Sequence, residues 1–205
     1  MSNGRRLTAR GRERRDELVA YATRRFAENG FHPTSVSDIV DGVGVGKGVF
    51  YWYFPSKDDL FLEILRDALL DLRRCQQAAL ADAEDPLQRI ELGIRASLAW
   101  SADHREILKL VMFAWSEENF ASALKKGRRV ATADTARHVQ DAIDEGLIPA
   151  GDADALATSI RGVTEELSRV HLVDGDRLDD TVVATAVRMC LGGLAASGAD
   201  RAEIG

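Results

Sequence analysis

Apolar residues recur along the chain at helical spacing, and few segments alternate as a half-buried strand does. Leu18, Ala22 and Phe26 stand four residues apart and predict an inward-facing stripe on a first helix over residues 12–29. Gly30 follows at the place where a C-terminal glycine cap is expected. The pattern predicts an all-α chain.

Two short helices follow, and local start and stop signals define both. Ser35 and Asp38 form an S-x-x-D pair that predicts the start of a helix over Val36–Val43. The glycine-containing turn 44–46 separates it from a third helix over 47–53, and Ser56 is the expected N-cap of a fourth. Further helices are predicted over 57–82, 86–102, 105–115, 120–145, 153–172 and 179–197.

The net charge of −6 by itself disfavours a nucleic-acid partner, but the charge is unevenly distributed. Residues 1–60 hold ten Lys/Arg and eight Asp/Glu, a balance of +2, so the remainder carries −8. Six arginines lie within the first fifteen residues and predict a basic N-terminal arm that attracts phosphate. The alternative is a disordered, solubilising tail.

The other composition features exclude several function classes. Cys75 and Cys190 lack metal-ligand spacing, and we expect two buried, reduced thiols in the cytoplasm. No signal peptide or membrane span is predicted. The four histidines are scattered, and there is no phosphate loop or nucleophile signature, so we expect no enzyme activity, no metal and no cofactor.

Residues 34–57 have the layout of a helix-turn-helix, in which two short helices flank a tight turn. Phe50 and Phe54, at i and i+4, are predicted to face back into the domain, which leaves the opposite face free to enter a major groove. A run of aromatic residues is more often core than interface. A helix this short, however, cannot turn all four of its aromatic residues inward.

Each residue on the free face has a chemical role that it could play on DNA. Lys47 can reach a phosphate or a guanine edge, and Gly48 lets the backbone approach the bases. Val49 suits a thymine methyl, Tyr51 a phosphate and Trp52 an apolar base contact, whereas Val49 and Tyr53 are also compatible with inward packing. The amides at the start of the second helix and Lys57 are further phosphate candidates. The candidate DNA-binding residues are Thr34, Ser35, Lys47, Gly48, Val49, Tyr51, Trp52, Tyr53 and Lys57.

The span 14–61 resembles the N-terminal domain of TetR-family regulators. The resemblance rests on the segments 26–31, 34–36, 38–39, 44–48, 50–51, 53–54 and 56–61, which read FAENGF, TSV, DI, GVGKG, FY, YF and SKDDLF. The sequence departs from the family pattern at Gly46, usually Ser or Thr, at Gly42, often Ala, and at Trp52, where polar or smaller aromatic residues are common. Loss of the side-chain cap at Gly46 costs only a few tenths of a kcal/mol.

The resemblance implies a DNA-binding helix-turn-helix domain with its basic arm over residues 1–55, and an effector-binding and dimerisation domain over 56–205. It implies a homodimeric repressor that leaves a palindromic double-stranded operator when a small-molecule effector moves the fourth helix. The last two helices, 153–172 and 179–197, would pair with those of the dimer mate, and Gly162, Gly192 and Gly193 would permit close contact. The alternative is a DNA-binding regulator or architectural protein without a ligand.

An effector pocket is expected among helices four to eight. An aromatic and polar cluster in that part of the sequence has the composition of a small-molecule site. The simpler interpretation of such a stripe is ordinary core. The candidate ligand-binding residues are Trp100, His104, Met112, Phe113, Trp115, Glu117 and Phe120.

Overall fold

The computed structural model describes residues 8–175 and 177–197, and all regular secondary structure within those ranges is helical. This confirms the all-α prediction. No helix in these ranges is long and apolar enough to cross a bilayer. The helices are α1 (Ala9–Asn29), α2 (Val36–Val43), α3 (Lys47–Tyr53), α4 (Lys57–Ala79), α5 (Pro86–Asp103), α6 (Arg105–Ser116), α7 (Glu118–Asp144), α8 (Ala153–Ser168) and α9 (Asp180–Ala196), with a π-helical segment, Arg169–Asp174, after α8.

The first helix begins earlier than predicted and takes in much of the expected basic arm. The hydroxyl of Thr8 accepts a hydrogen bond from the amide of Gly11 at 3.1 Å and caps the helix at Ala9. Arg15 is therefore helical, and its guanidinium pairs with Glu63 of α4. The predicted start at residue 12 is thus three residues late, and the first arginines of the expected basic arm, Arg5 and Arg6, lie outside the described residues.

One hydrophobic core joins the N-terminal three helices to the helices that follow. The predicted stripe on α1 is confirmed, since Leu18, Ala22 and Phe26 are all buried. They pack with residues of α2 and α3, with the first half of α4, with Leu110 of α6 and with Phe120 of α7. Burial of each large apolar side chain contributes about 1.5–3 kcal/mol, so this shared core fixes the position of α3 against α4, α6 and α7.

A second core lies at the other end of the molecule, between α5, α7, α8 and α9. Its buried members include Ile94 and Leu98 of α5, Val139 of α7 and Leu194 of α9. Cys190 lies in this core, and burial raises the pKa of its thiol. Cys75 is exposed on α4, which corrects the prediction that both thiols are buried.

The structure explains why glycine stands at one position in α2 and at one position in the turn that follows it. Gly44 adopts a φ of 71° as the C-cap of α2, a left-handed conformation that side chains disfavour. A Cβ on Gly42 would lie 1.9 Å from Cζ of Tyr21, because the Tyr21 ring crosses the helix there. The departure from alanine at Gly42 therefore accommodates a bulky ring on the neighbouring α1.

The helix predicted over 153–172 changes character before it ends. Its α-helical part stops at Ser168, and the chain widens into the π-helical segment. Arg105, at the start of α6, donates from its guanidinium to the carbonyls of Leu172 and Gly175 at 2.9 and 2.8 Å. These hydrogen bonds hold the end of the segment, where helical carbonyls lack partners within the helix.

Candidate nucleic-acid interface and ligand cavity

The third helix presents one buried and one exposed face. Phe50 and Phe54 are fully buried, as predicted, and their rings lie 5.6 Å apart. Tyr51 and Trp52 point away from this core, and each remains 55% exposed. Gly46 precedes the helix with no side-chain cap, as its identity implies.

The remaining candidates on α3 surround this aromatic pair. Lys47, Gly48 and Val49 are exposed in the first turn. Tyr53 is half-buried, and its ring meets that of Trp52 edge to face at 4.6 Å. The geometry therefore gathers the α3 candidates on one outward surface, while Tyr53 also packs against the core. Their contact with DNA stays a prediction.

Thr34 does not lie on this outward surface. Its side chain is buried, and its hydroxyl donates to the carbonyl of Gly30 at 2.8 Å. The hydroxyl therefore closes the turn between α1 and α2, and the phosphate contact predicted for the amides at the start of α2 stays a prediction.

Ser35 forms the capping box that its spacing predicts. Its amide donates to Asp38 Oδ2 at 2.8 Å, and the Asp38 amide donates to Ser35 Oγ at 3.2 Å. The hydrogen bonds from the Ser35 backbone and side chain hold the pKa of the Asp38 carboxyl below its ordinary value. The Asp38 carboxylate thus already accepts a hydrogen bond from the Ser35 amide at the start of α2. A phosphate bound there, as predicted, would lie beside this negative charge.

The side chain of Lys57, at the start of α4, forms hydrogen bonds to the turn between α1 and α2. Its ammonium donates to the carbonyls of Phe31 and Thr34 at 2.7 and 2.8 Å and lies 4.2 Å from the centre of the Phe31 ring. Burial lowers the pKa of this ammonium. The structure thus engages the Lys57 ammonium inside the protein, and its predicted phosphate contact stays a prediction.

The residues of the predicted effector cluster divide between the hydrophobic core, a hydrogen bond to His32 and a cavity. Phe113 and Phe120 join Phe31 and Phe61 in a cluster of aromatic rings beneath the α1–α2 turn, with Phe31 5.5 Å from Phe113 and 5.2 Å from Phe120. Glu117 pairs through Oε1 with Nε2 of His32 at 3.2 Å. The structure therefore places Phe113, Glu117 and Phe120 against the α1–α2 turn and does not bring them together with the other predicted ligand-binding residues.

The other predicted residues lie at a cavity of about 410 Å³ between α4, α5, α6, α7 and α8. Trp100, Met112 and Trp115 line it, together with apolar residues of α4 and α6. His104 lies behind the wall, since its ring stacks on Trp100 at 4.2 Å and its Nδ1 is 2.8 Å from the Trp100 carbonyl oxygen. Volumes of this order suit a small organic ligand.

Sequence reasoning missed a second cavity of about 270 Å³ beside the first. Arg73, His138 and Arg161 are among its lining residues and come from α4, α7 and α8. No short-range pattern marks them as a group, because they meet only after the helices pack.

The architecture is that of a helix-turn-helix protein with a cavity among the helices that follow α3. Residues 18–64 match the family model of the bacterial regulatory proteins of the tetR family. The chain is similar to the transcriptional regulators of the TetR family, and the match to the family model lies in residues 18–64. Its relatives are transcription regulators, in agreement with the prediction that it is not an enzyme.

Two full-length relatives illustrate the similarity. The chain is 25% identical over 199 residues to the HTH-type transcriptional regulator YdgC of Bacillus subtilis, which covers 95% of this chain and 99% of that one. It is 28% identical over 196 residues to the HTH-type transcriptional repressor KstR2 of Mycolicibacterium smegmatis, covering 92% and 94%.

Solved structures agree with the fold. The ketosteroid transcriptional regulator KstR2 of Mycobacterium tuberculosis superimposes with a TM-score of 0.70 at 26% identity, over 88% of this chain and 94% of that one. A TetR-family regulator from Syntrophomonas wolfei gives a TM-score of 0.80 over 94% and 99% of the two chains. At 20% identity, the latter shows the fold alone.

Proposed function

We propose that this regulator is a homodimeric repressor that binds a palindromic operator through α3 and leaves it when a small molecule occupies the larger cavity. One observation carries the proposal: Tyr51 and Trp52 are exposed on a helix that the buried rings of Phe50 and Phe54 anchor from behind. A rigid helix with a free aromatic and cationic face has the properties that entry into a major groove requires.

The exposed face combines the two kinds of contact that DNA recognition needs. Lys47 supplies positive charge at the start of α3 and suits a phosphate or a guanine edge. Trp52 supplies apolar surface for bases, and Tyr51 adds a hydroxyl that can donate to phosphate. Phosphate contacts set affinity and register, while contacts to base edges set sequence preference.

The outer face of α9 supports dimerisation. Met189 is 64% exposed there, although Cys190 and Leu194 on the other side of the helix are buried in the second core. A Cβ added to Gly192 or Gly193 would meet no atom within 4 Å, and the same holds at Gly162 of α8. A helix face that joins small residues to an exposed methionine suits close packing against a second copy, which would also place two α3 helices on one palindrome.

We also propose two functional parts that meet between residues 55 and 56 but are not separate folding units. Residues 1–55 would read DNA and residues 56–205 would bind the effector and the partner. The two parts share the first core, however, so a change at the cavity can reach the DNA-reading part through packed side chains.

Selection of genomic DNA fragments by the purified protein tests the proposal. The wild-type protein should enrich a palindromic site, and Tyr51→Ala should lose that enrichment. Val130→Ala removes a comparably exposed apolar group from α7 and serves as the control that keeps it. Met189→Glu should yield monomers by light scattering and should weaken binding to the palindrome.

Failure to enrich any site, with a well-folded dimer, contradicts the proposal. Enrichment of a site that no small molecule releases would indicate the alternative, a DNA-binding regulator without an effector.

A further inference from the structure

The two cavities are neighbours with a polar partition between them. Both are lined by Gln76 of α4, Ser97 of α5 and Arg161 of α8. Gln76 Nε2 donates to Ser97 Oγ at 2.7 Å and thus links α4 to α5 at this partition. The larger cavity has mainly apolar walls, whereas most residues that line the smaller one are polar or charged, so together they form a compartment with two chemically different ends.

The walls of this compartment are positively charged in a chain whose net charge is −6. Among the described residues, the lining of the two cavities contains six arginines and three carboxylates. They are Arg73, Arg89, Arg128, Arg137, Arg161 and Arg169, against Asp134, Glu165 and Glu166.

Two of the three carboxylates are each shared by two arginines. Asp134 pairs with Arg73 at 2.9 Å and also with Arg137. Glu165 pairs with Arg128 at 2.6 Å and also with Arg161. One negative charge therefore balances two guanidinium groups at each place. Arg89 pairs with Asp141 at 3.5 Å, and Arg169 pairs with both Glu166 and Asp174, so the excess positive charge lies at the groups around Asp134 and Glu165.

Arg161 is the most enclosed of these cations, with its side chain only 16% exposed. Its guanidinium donates to the carbonyl of Arg128 at 2.8 Å, and burial lowers its pKa. A cation held where water is partly excluded interacts more strongly with an anion than one on the open surface does. An anionic group in the smaller cavity would therefore gain most from this residue.

His138 adds a polar atom without a partner. Its Nδ1 is buried at the smaller cavity and has no hydrogen-bond partner among the described residues. Burial, followed by the charge of Arg89, lowers the pKa of this imidazole, so the ring is neutral at pH 7. A buried nitrogen of this kind is costly unless a ligand or solvent atom completes its hydrogen bond.

We propose that the effector is an amphipathic anion, with an apolar body in the larger cavity and a carboxylate in the smaller one, beside Arg73, His138 and Arg161. The inference rests on the proposed function, because it names the chemical class of the molecule that would fill the same compartment. A cationic effector is disfavoured, since one face of Trp115 is already covered by the Arg128 guanidinium at 4.4 Å and one face of Trp100 by His104.

Three probes with the same ten-carbon chain test the class: decanoate, decan-1-ol and decyltrimethylammonium, each below its micellar concentration. Trp52→Phe leaves Trp100 and Trp115 as the only tryptophans, and both line the larger cavity, so their fluorescence reports occupancy without DNA. We expect decanoate to bind roughly tenfold or more tightly than either other probe, as a charge-assisted hydrogen bond implies.

Two substitutions in the same background locate the anionic group. Arg161→Gln and Arg73→Gln should each weaken decanoate binding roughly tenfold and leave decan-1-ol binding within about twofold. Arg95→Gln removes an exposed arginine of α5 that pairs with Glu91 outside the compartment, and it should change neither. Circular dichroism identifies any variant that fails to fold.

Equal binding of decanoate and decan-1-ol, tighter binding of decyltrimethylammonium, or binding of none of the three overturns the proposal. It is also overturned if the preference for decanoate survives both substitutions. Since the assay contains no DNA, these outcomes leave the repressor function standing, whereas failure of the fragment selection would remove that function without deciding the chemistry of the cavity.

Discussion

Replacing Lys57 by methionine keeps the aliphatic stem but removes the ammonium group that holds the α1–α2 turn. The carbonyls of Phe31 and Thr34, which now receive hydrogen bonds at 2.7 and 2.8 Å, lose a charged donor. Hydrogen bonds to charged groups contribute about 1.5–3 kcal/mol each, and the partial burial of the ammonium offsets part of the sum. We therefore expect the free energy of unfolding to fall by about 2–3 kcal/mol.

Urea denaturation at a fixed protein concentration measures this change, with the m-value as a check that the native state is otherwise intact. For a chain of this size the corresponding loss of Tm is roughly 4–12 °C. A loss below about 0.5 kcal/mol, with an unchanged m-value, would refute the structural role of the ammonium.

Lys47→Met is the matched control, because Lys47 is exposed at the start of α3. It should leave stability unchanged but lower the dependence of DNA affinity on salt by about 0.9 per lost phosphate contact, or about 1.8 in a dimer. Lys57→Met should leave that salt dependence unchanged. If the salt dependence instead falls in Lys57→Met, this lysine contacts phosphate after all.

Trp52→Ala should change which operator sequences are preferred and leave the free energy of unfolding within about 0.5 kcal/mol, because the indole is 55% exposed; operator selection followed by urea denaturation checks both parts. Phe120→Ala should lower the free energy of unfolding by about 3–5 kcal/mol in a denaturation experiment and leave decanoate binding in titration calorimetry unchanged. Trp115→Ala should weaken decanoate binding, because Trp115 lines the larger cavity. The reverse pattern would contradict the division between core and cavity. The pKa of Asp38 is lowered from an ordinary value of 3.8, so its capping contribution to stability is present above pH 3.8 and is lost as the pH falls through the lower folded-state pKa. The destabilisation caused by Ser35→Ala should therefore shrink below pH 3.8. A difference in stability that does not depend on pH would argue against the capping box.

Local signals explain why the two short helices were predicted to the residue. The capping box of Ser35 starts α2, and Gly44, with its positive φ, ends it, so both limits are set within a few residues of the chain. The end of α8 could not be predicted in this way. Its change to π-helical geometry is tied to hydrogen bonds from Arg105, which lies 67 residues before Leu172.

The same distinction applies to the candidate site. The outward direction of Tyr51 and Trp52 follows from helical spacing against Phe50 and Phe54, and that spacing is visible in the sequence. The hydrogen bonds of the Lys57 ammonium to the α1–α2 turn could not be predicted, because its carbonyl partners lie 23 and 26 residues earlier. The arginine-rich compartment was missed for a similar reason, since its walls come from helices far apart in the chain.

Helix α6 connects the cavity to the DNA-reading part of the molecule. Met112 and Trp115 line the cavity, while Phe113 between them contacts the rings of Phe31 and Phe61 at 5.5 and 5.8 Å. Aromatic pairs contribute about 0.5–1.5 kcal/mol each, so displacement of Phe113 alone could change the energy of the junction by about 1–3 kcal/mol. A hundredfold loss of DNA affinity requires about 2.8 kcal/mol. The ring contacts at this junction are therefore large enough for a modest shift of α6 to account for the proposed release of the protein from its operator.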